Sequence, residues 1–375
     1  MDNGEPVIQL VLPKIDVADP TPKYLQAQKI LAEAIREGQL RAGAKLPSTK
    51  SIGELINVSL ITAHKALERL VDAGLLRREV GRGTYVCDNA HEVMASGRQL
   101  SIAMVLDSRV NIGDYYHNTI IDGLRRAARA DTQTTDLFFQ DRLTIPHSRR
   151  TTVAGIVCIH PAVADQPEVI ALAKAIPVVV LGGTVPGDHV TCIDCDNYSG
   201  AREAVRHLTG LGHRRFVVLS GLLELTNAAD REVGARDELR EQGIPFEDRD
   251  SIVSGDVVEL DADAAEKLRR RLSEPDRPTA IVAGGFYLAL AAMRLVRQAG
   301  FSVPQDVSII GFDDPASAPM LEPPLTTVRQ PLMEMADKAY STLMDMILRG
   351  QGAVTSSKLP SELVIRGSTG PCRSH

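Results

Sequence analysis

The stretch VSLITAHKALERLVDAGLLRREVGRGTYV, residues 58 to 86, concentrates side chains that handle polyanions. Thr62 and His64 can hydrogen-bond base edges or phosphates, Leu60 or Ile61 can meet a thymine methyl, and Lys65 can neutralise a phosphate. Arg82, between Gly81 and Gly83, sits at the tip of a basic turn of the kind a narrow minor groove attracts. The chemistry this set offers is the binding of something negative.

The charge distribution agrees. From Thr21 to Val86 there are 11 Lys+Arg and 6 Asp+Glu, a balance of +5, whereas the remaining 31 and 42 give −11. A basic N-terminal module joined to an acidic body assigns the polyanion to the first part alone. The five cysteines are scattered and odd in number, which suits a reducing compartment. Cys192-Ile-Asp-Cys195 is a lone CxxC in an apolar extended run, without a second pair or clustered histidines, so no metal, cofactor or thiol chemistry is expected of it. No 18-residue apolar run is present, so no membrane span is expected. Met1 to Lys14 lacks a basic lead and a small-residue cleavage site, which predicts a cytoplasmic protein.

The elements that must position the basic side chains follow from spacing. Residues 1 to 20, with Pro6, Pro13 and Pro20, read as a flexible arm. A helix from Lys23 carries Tyr24, Ala27, Leu31, Ala34 and Ile35 on one face and stops at Gly38. Ser48 caps a second helix, Asn57-Val58 makes a tight turn, and Ser59 caps a third. In the third, Ala63, Ala66, Leu67 and Leu70 face inward, leaving Leu60, Ile61, Thr62, His64 and Lys65 outward near its start. Helix, turn, helix lets one helix enter a major groove tip first. "LLRREV" and "GTYV" then flank Gly81-Arg82-Gly83 as a two-stranded wing.

"GQLRAGAKLPSTKSIGEL", "VSLITAHKAL" and "LVDAGLLRREVGRGTYV" closely resemble the winged helix-turn-helix of GntR-family transcription regulators, over about residues 23 to 87. The resemblance implies a double-stranded, palindromic operator read by a homodimer. It places Lys50, Ser59, Leu60, Thr62, His64, Lys65, Arg82 and Gly83 at the DNA. Family members often carry arginine where this chain has Lys50 and Leu60, so the operator sequence is its own.

Residues 88 to 99 are polar and aperiodic, a linker between the head at 21 to 87 and a body at 100 to 370. In the body, "SIAMVL", "GIVCI", "PVVVL", "RFVVLS", "TAIVAG" and "VSIIGF" alternate with amphipathic helices. That alternation predicts an α/β fold with parallel sheets, whose ligands bind beyond the C-terminal ends of the strands.

"DNYSGAREAVRHLTGLGHRRFVVLSG", Arg231-x-x-Gly234, "VPQDVSIIGFDD", "PPLTTVRQP" and "LVIRGST" resemble the effector domain of LacI-family repressors, itself similar to periplasmic sugar-binding proteins. A GntR-type reader on a LacI-type sensor resembles the arabinose-repressor branch of the GntR family. The resemblance implies two lobes with a small-molecule effector between them, a sugar being one candidate. It makes Arg231 and Asp313 its contacts, an arginine fork and a carboxylate suited to hydroxyl-rich ligands. Gly285-Phe286 stands where the family usually has Asn-Asp, so Phe286 offers a stacking face in place of a hydroxyl partner. Tyr115 and Asn118, where the first loop enters its helix, are further expected contacts. Asp141 to Thr152 is shorter than the matching segment of relatives and predicts a trimmed rim.

The leading function is a transcription repressor controlled by its effector, without catalytic residues. Alternatives are a regulator with a degenerate cleft, an enzyme, or a transport receptor. The chain has no HExxH, nucleophile elbow or phosphate loop, and the receptor reading conflicts with the DNA module and the absent export signal.

Overall fold

The computed structural model describes residues 10, 12–16, 19, 22–79, 81–88, 90, 100–106, 114–131, 135–140, 153–256, 258–349 and 356–373. The expected linker lies almost wholly outside them, as does the segment from Asp141 to Thr152.

The head consists of α1 (Lys23–Arg36), α2 (Thr49–Ile56), α3 (Leu60–Asp72), and a hairpin of β1 (Leu76–Glu79) and β2 (Gly83–Val86). Ser48 Oγ accepts from Ser51 N and Ser59 Oγ accepts from Thr62 N, each at 3.1 Å, so both caps form as the sequence dictates. Asn57 takes the left-handed conformation, φ 62°, that turns α2 into α3. The inward stripes of the three helices meet: Leu31, Ile35, Ile52, Ile56, Leu67 and Leu70 are essentially inaccessible. Part of the arm does not behave as a loose segment. Leu12 and Ile15 are buried in this core, and Ile15 N donates to Ile56 O at 3.1 Å. Two apolar side chains at spacing three are enough to dock it.

The wing is wider than the hairpin. Lys45 bridges to Tyr85, Leu46 N donates to Thr84 O, and Val86 N donates to Ala44 O. The connection before α2 therefore lies along β2 as a third extended segment.

The body has two six-stranded sheets. The first, in the order β13-β7-β6-β5-β3-β4, takes β3 (Leu100–Leu106), β4 (Thr135–Gln140), β5 (Val153–Ile159), β6 (Val178–Leu181), β7 (Thr191–Cys195) and β13 (Ser357–Leu359). The second, in the order β14-β12-β11-β10-β8-β9, takes β8 (Phe216–Ser220), β9 (Ser251–Val253), β10 (Ala280–Ala283), β11 (Ser308–Phe312), β12 (Thr326–Arg329) and β14 (Glu362–Val364). All pairs are parallel except β12 with β14.

Helices α4 (Tyr115–Ala130), α5 (Gln166–Ala173) and α10 (Leu332–Arg349) pack on the first sheet, while α6 (Asn197–Gly210), α7 (Thr226–Glu241), α8 (Ala262–Ser273) and α9 (Phe286–Gln298) pack on the second. The chain passes between lobes after β7, β12 and β13. Parallel strands with helices on both faces put the C-terminal ends of the strands, the antiparallel β14 excepted, at the gap between the lobes.

Cys192 and Cys195 stand three apart on β7 and so face opposite sides of the sheet, in two separate apolar clusters. Burial pushes the Cys195 thiol up to about 12. Among the described residues no helix is long and apolar enough to cross a membrane.

Candidate functional site

Two sites emerge, one on the head and one between the lobes. On the head, Leu60 is 57% exposed and Ile61 81%, an apolar pair left in solvent at the start of α3. His64 lies one turn along: its Nε2 is 3.3 Å from Glu68 Oε1, and its Nδ1 is 3.4 Å from Nη2 of Arg78 on β1. The Arg82 side chain is 80% exposed at the wing tip, between Gly81 at φ 74° and Gly83 at φ 126°. Lys50 is exposed on α2 and Ser59 is spent as the α3 cap.

Two expected readers are engaged elsewhere. Thr62 is half-buried with its hydroxyl 2.7 Å from Ser59 Oγ, since the third residue past the cap folds back onto it. Lys65 lays its ammonium 3.9 Å from the centre of the Tyr24 ring, a cation–π contact that holds it toward α1.

Further along α3, Arg69 is nearly buried. Its Nε donates to Gln28 Oε1 at 2.8 Å, and its other nitrogens stand 4.0 Å from Asp131 and 3.7 Å from Asp345 of the body. Asp131, at the end of α4, also accepts from Tyr340 Oη at 3.2 Å. The head is thereby joined to α4 and α10 through a residue to which sequence reading assigned no role.

Between the lobes, a cavity of about 90 Å3 is lined by Tyr115, Tyr116, His117 and His160 from the first lobe and Asn227, Arg231, Phe286 and Asp313 from the second. Asp114 caps α4 by accepting from His117 N at 2.8 Å, and the same carboxylate holds His117 Nδ1 at 2.8 Å. Arg231 donates from Nε to Asn197 Oδ1 at 2.8 Å and from Nη1 to Gly284 O at 2.6 Å, and its guanidinium lies 4.4 Å from the centre of the Phe312 ring. Asp313 accepts from Gln330 Nε2 at 2.7 Å and holds a left-handed backbone, φ 68°. Four buried atoms around this region have no hydrogen-bond partner among the described residues: Tyr116 Oη, His117 Nε2, Asp194 Oδ2 and Gln330 Oε1. Unpaired buried polar atoms are costly, and their clustering marks a place for a ligand.

Asn118 does not line the cavity; it is exposed on α4. Tyr115, Arg231, Phe286 and Asp313 are brought together as expected.

His160 and Asn227 were not foreseen. His160 follows β5, at the strand end where ligands bind in such sheets, and that position is the signal that could have found it. It stacks on Tyr116 at 4.3 Å and accepts from Asn227 Nδ2 of the other lobe at 2.9 Å. Burial pushes the ring well below the usual imidazole value, and the neighbouring His117 and Arg231 add to the effect. Both rings lie against Gly182, φ 79°, where a Cβ would meet Tyr116 Oη at 2.2 Å.

The mouth is strapped by an antiparallel bridge between Ala162 and Leu225, with Val163 N donating to Glu224 O at 3.0 Å.

Asp194, beside this cleft, is pushed up to about 6 by burial. Its folded value lies above the ordinary 3.8 of an exposed carboxyl, so stability falls as pH rises between the two. Asp194→Asn removes that loss. The stability difference between variant and wild type should grow by about 2 kcal/mol from about pH 4 to about pH 7. Thermal melts across that range check it, and a pH-independent offset would refute it.

Residues 23–86 match the family model for bacterial regulatory proteins, gntR family, and residues 205–369 match the periplasmic binding protein-like domain. The HTH-type transcriptional regulator AglR of Rhizobium meliloti (strain 1021) is 30% identical over 344 residues, covering 86% of this chain and 94% of AglR. The arabinose metabolism transcriptional repressor of Geobacillus stearothermophilus is 27% identical over 365 residues, 93% of this chain and 98% of that protein.

Among solved structures, a LacI family transcriptional regulator from Mycobacterium smegmatis superposes with a TM-score of 0.63 at 26% identity, over 72% of this chain and 100% of that one. A CelR–cellobiose complex shares the fold, with a TM-score of 0.64 at 22% identity over 86% of this chain and 100% of that one. A GntR-type reading head, a two-lobed sensor and a near full-length relative converge: the chain belongs to the bacterial HTH-type transcriptional regulators that fuse a GntR-type winged helix to a LacI-like, periplasmic-binding-protein-like domain.

Proposed function

We propose that this DNA-binding regulator is a repressor whose operator affinity is set by a small, hydroxyl-rich molecule of the sugar class held between the lobes. The carrying observation is the cavity itself: Tyr116 and His117 from one lobe and Arg231 and Asp313 from the other surround one space, with Tyr116 Oη and His117 Nε2 unpartnered among the described residues. Hydroxyl groups both donate and accept, so donors and acceptors placed together suit them. Two relatives support the class, one named for arabinose metabolism and one solved with cellobiose. Phe286 and Tyr115 supply apolar faces for the ring carbons. At about 90 Å3 the cavity is small beside the roughly 300–1,000 Å3 of usual ligand pockets, so entry requires the lobes to part.

The route outward is α4. Its first turn lines the cleft and its C-terminal end meets Arg69 of the head, 16 residues or about 24 Å away. A ligand that binds two lobe arrangements unequally shifts α4 and with it α3. The reading comprises a homodimer on a palindromic operator, a cytoplasmic location and no catalysis. It divides the chain into a head at 21 to 87, a linker at 88 to 99 and a sensor at 100 to 370.

The test is selection of genomic fragments on the purified full chain at moderate salt, followed by challenge with a panel including L-arabinose and cellobiose. A palindromic site released by one sugar is the expected result. Arg231→Met should keep the site and abolish release. A site whose retention no sugar changes would leave a ligand-independent regulator instead.

A further inference from the structure

We infer that Arg78 is a DNA-contacting residue that takes a backbone phosphate between the recognition helix and the wing, and that this capture frees His64 to read a base. The face of β1 decides where Arg78 can act. Strand side chains alternate, so Arg78 shares a face with Leu76, which packs against the helices, whereas Arg77 points to the other side. Arg78 is exposed, stands opposite Thr84 in the hairpin register, and reaches α3 through His64 Nδ1 at 3.4 Å. It thus sits on the exposed surface between the Leu60–Ile61 tip of α3 and the Arg82 turn of the wing, the surface a duplex must occupy if both tip and wing touch it.

The hydrogen-bond directions give the second half. A guanidinium only donates, so His64 Nδ1 is the acceptor facing it. On the other edge of the ring, Nε2 stands 3.3 Å from Glu68 Oε1. In the free protein Arg78 faces one ring nitrogen and Glu68 the other. A phosphate is a far better partner for a guanidinium than a neutral imidazole. When it draws Arg78 away, Nδ1 becomes a free acceptor on the outward face of α3. Its complement in a major groove is an exocyclic amino group, adenine N6 or cytosine N4. Arg78 acts through charge on the backbone and His64 through the identity of one base.

The test uses the full chain and a mixed-sequence duplex of about three helical turns, with affinity measured over a potassium chloride series. Arg78→Gln should reduce the magnitude of the log–log salt slope by about 0.9, one phosphate, while Arg78→Lys should keep it. His64→Ala should leave the slope unchanged and, in selection from a randomised duplex pool, lose a preference for adenine or cytosine at one position of each half-site. An Arg78→Gln slope equal to wild type overturns the phosphate contact, and a His64→Ala selection identical to wild type overturns the reading role. Wild-type protein that binds no duplex even at low salt would instead overturn the DNA-facing assignment of the whole surface.

Discussion

Gly234→Ala should lower the stability of the sensor by about 2 kcal/mol and disable its cleft, although the change adds one methyl to a helix. A Cβ at this position would lie 2.4 Å from the carbonyl oxygen of Tyr198 and 3.1 Å from its C and Cα. These are backbone atoms in the first turn of α6, which cannot rotate aside, so α7 must move off α6. Overpacking of this kind costs about 3 kcal/mol at its upper range, and the helix-propensity gain of glycine to alanine returns about 1. The steric effect wins.

Arg231 stands one turn earlier on α7 and holds Asn197 of α6 at 2.8 Å, so separating the helices also breaks the grip that orients the guanidinium in the cleft. The melting temperature should fall by roughly 4–8 °C. Gly210→Ala is the control in the same helix pair: nothing lies within 4 Å of its added methyl, and it should not destabilise. Equal melting temperatures for Gly234→Ala and wild type would show that the crossing is looser than its geometry.

Arg69→Met should cost about 2 kcal/mol and loosen the head from the sensor. Its side chain is 8% exposed, and removing it takes away the charged donor that meets Gln28 Oε1 at 2.8 Å and a cation beside Asp131, which is only 3% exposed. Losing a hydrogen bond from a charged group is worth about 1.5–3 kcal/mol, whereas the two ion pairs, at 3.7 and 4.0 Å, add less than their number suggests. The direct reading is hydrogen exchange: amides of α1 and the last turn of α4 should lose protection together, while those of β10 and β11 in the second lobe keep theirs. Affinity for a mixed-sequence duplex should change little, because the tip of α3 and the wing do not touch Arg69. A variant with unchanged exchange at α1 and α4 would break the proposed route from cleft to head.

The head was legible almost residue by residue, since its structure is set by local signals. Ser48 and Ser59 cap because serine at those positions satisfies an orphan amide, Asn57 turns because it tolerates a left-handed backbone, and the spacing of Ala63, Ala66, Leu67 and Leu70 fixes the buried face of α3. The same locality misjudged Thr62, whose outward position on a helical wheel ignores the hydroxyl's bond to its own cap. In the body, long apolar strands such as β3 and β5 were readable, but β9, β13 and β14, of three residues each, carry too few alternations to show a period. Arg231 and Asp313 entered through motif resemblance and meet at one cavity.

Sequence alone therefore determined the order of elements, the basic head, the parallel α/β body and the family that unites them. Each follows from short-range periodicity, capping or a contiguous motif. Only the tertiary structure decided that His160 and Asn227 join the cleft from opposite lobes, that Asn118 leaves it, that Arg78 stands beside His64, and that Arg69 belongs to the sensor as much as to the head. Those pairings span 67 residues for His160 and Asn227 and 14 for His64 and Arg78. A contact between side chains so far apart along the chain leaves no trace in local spacing; it exists only once helices and strands have packed and brought their faces together.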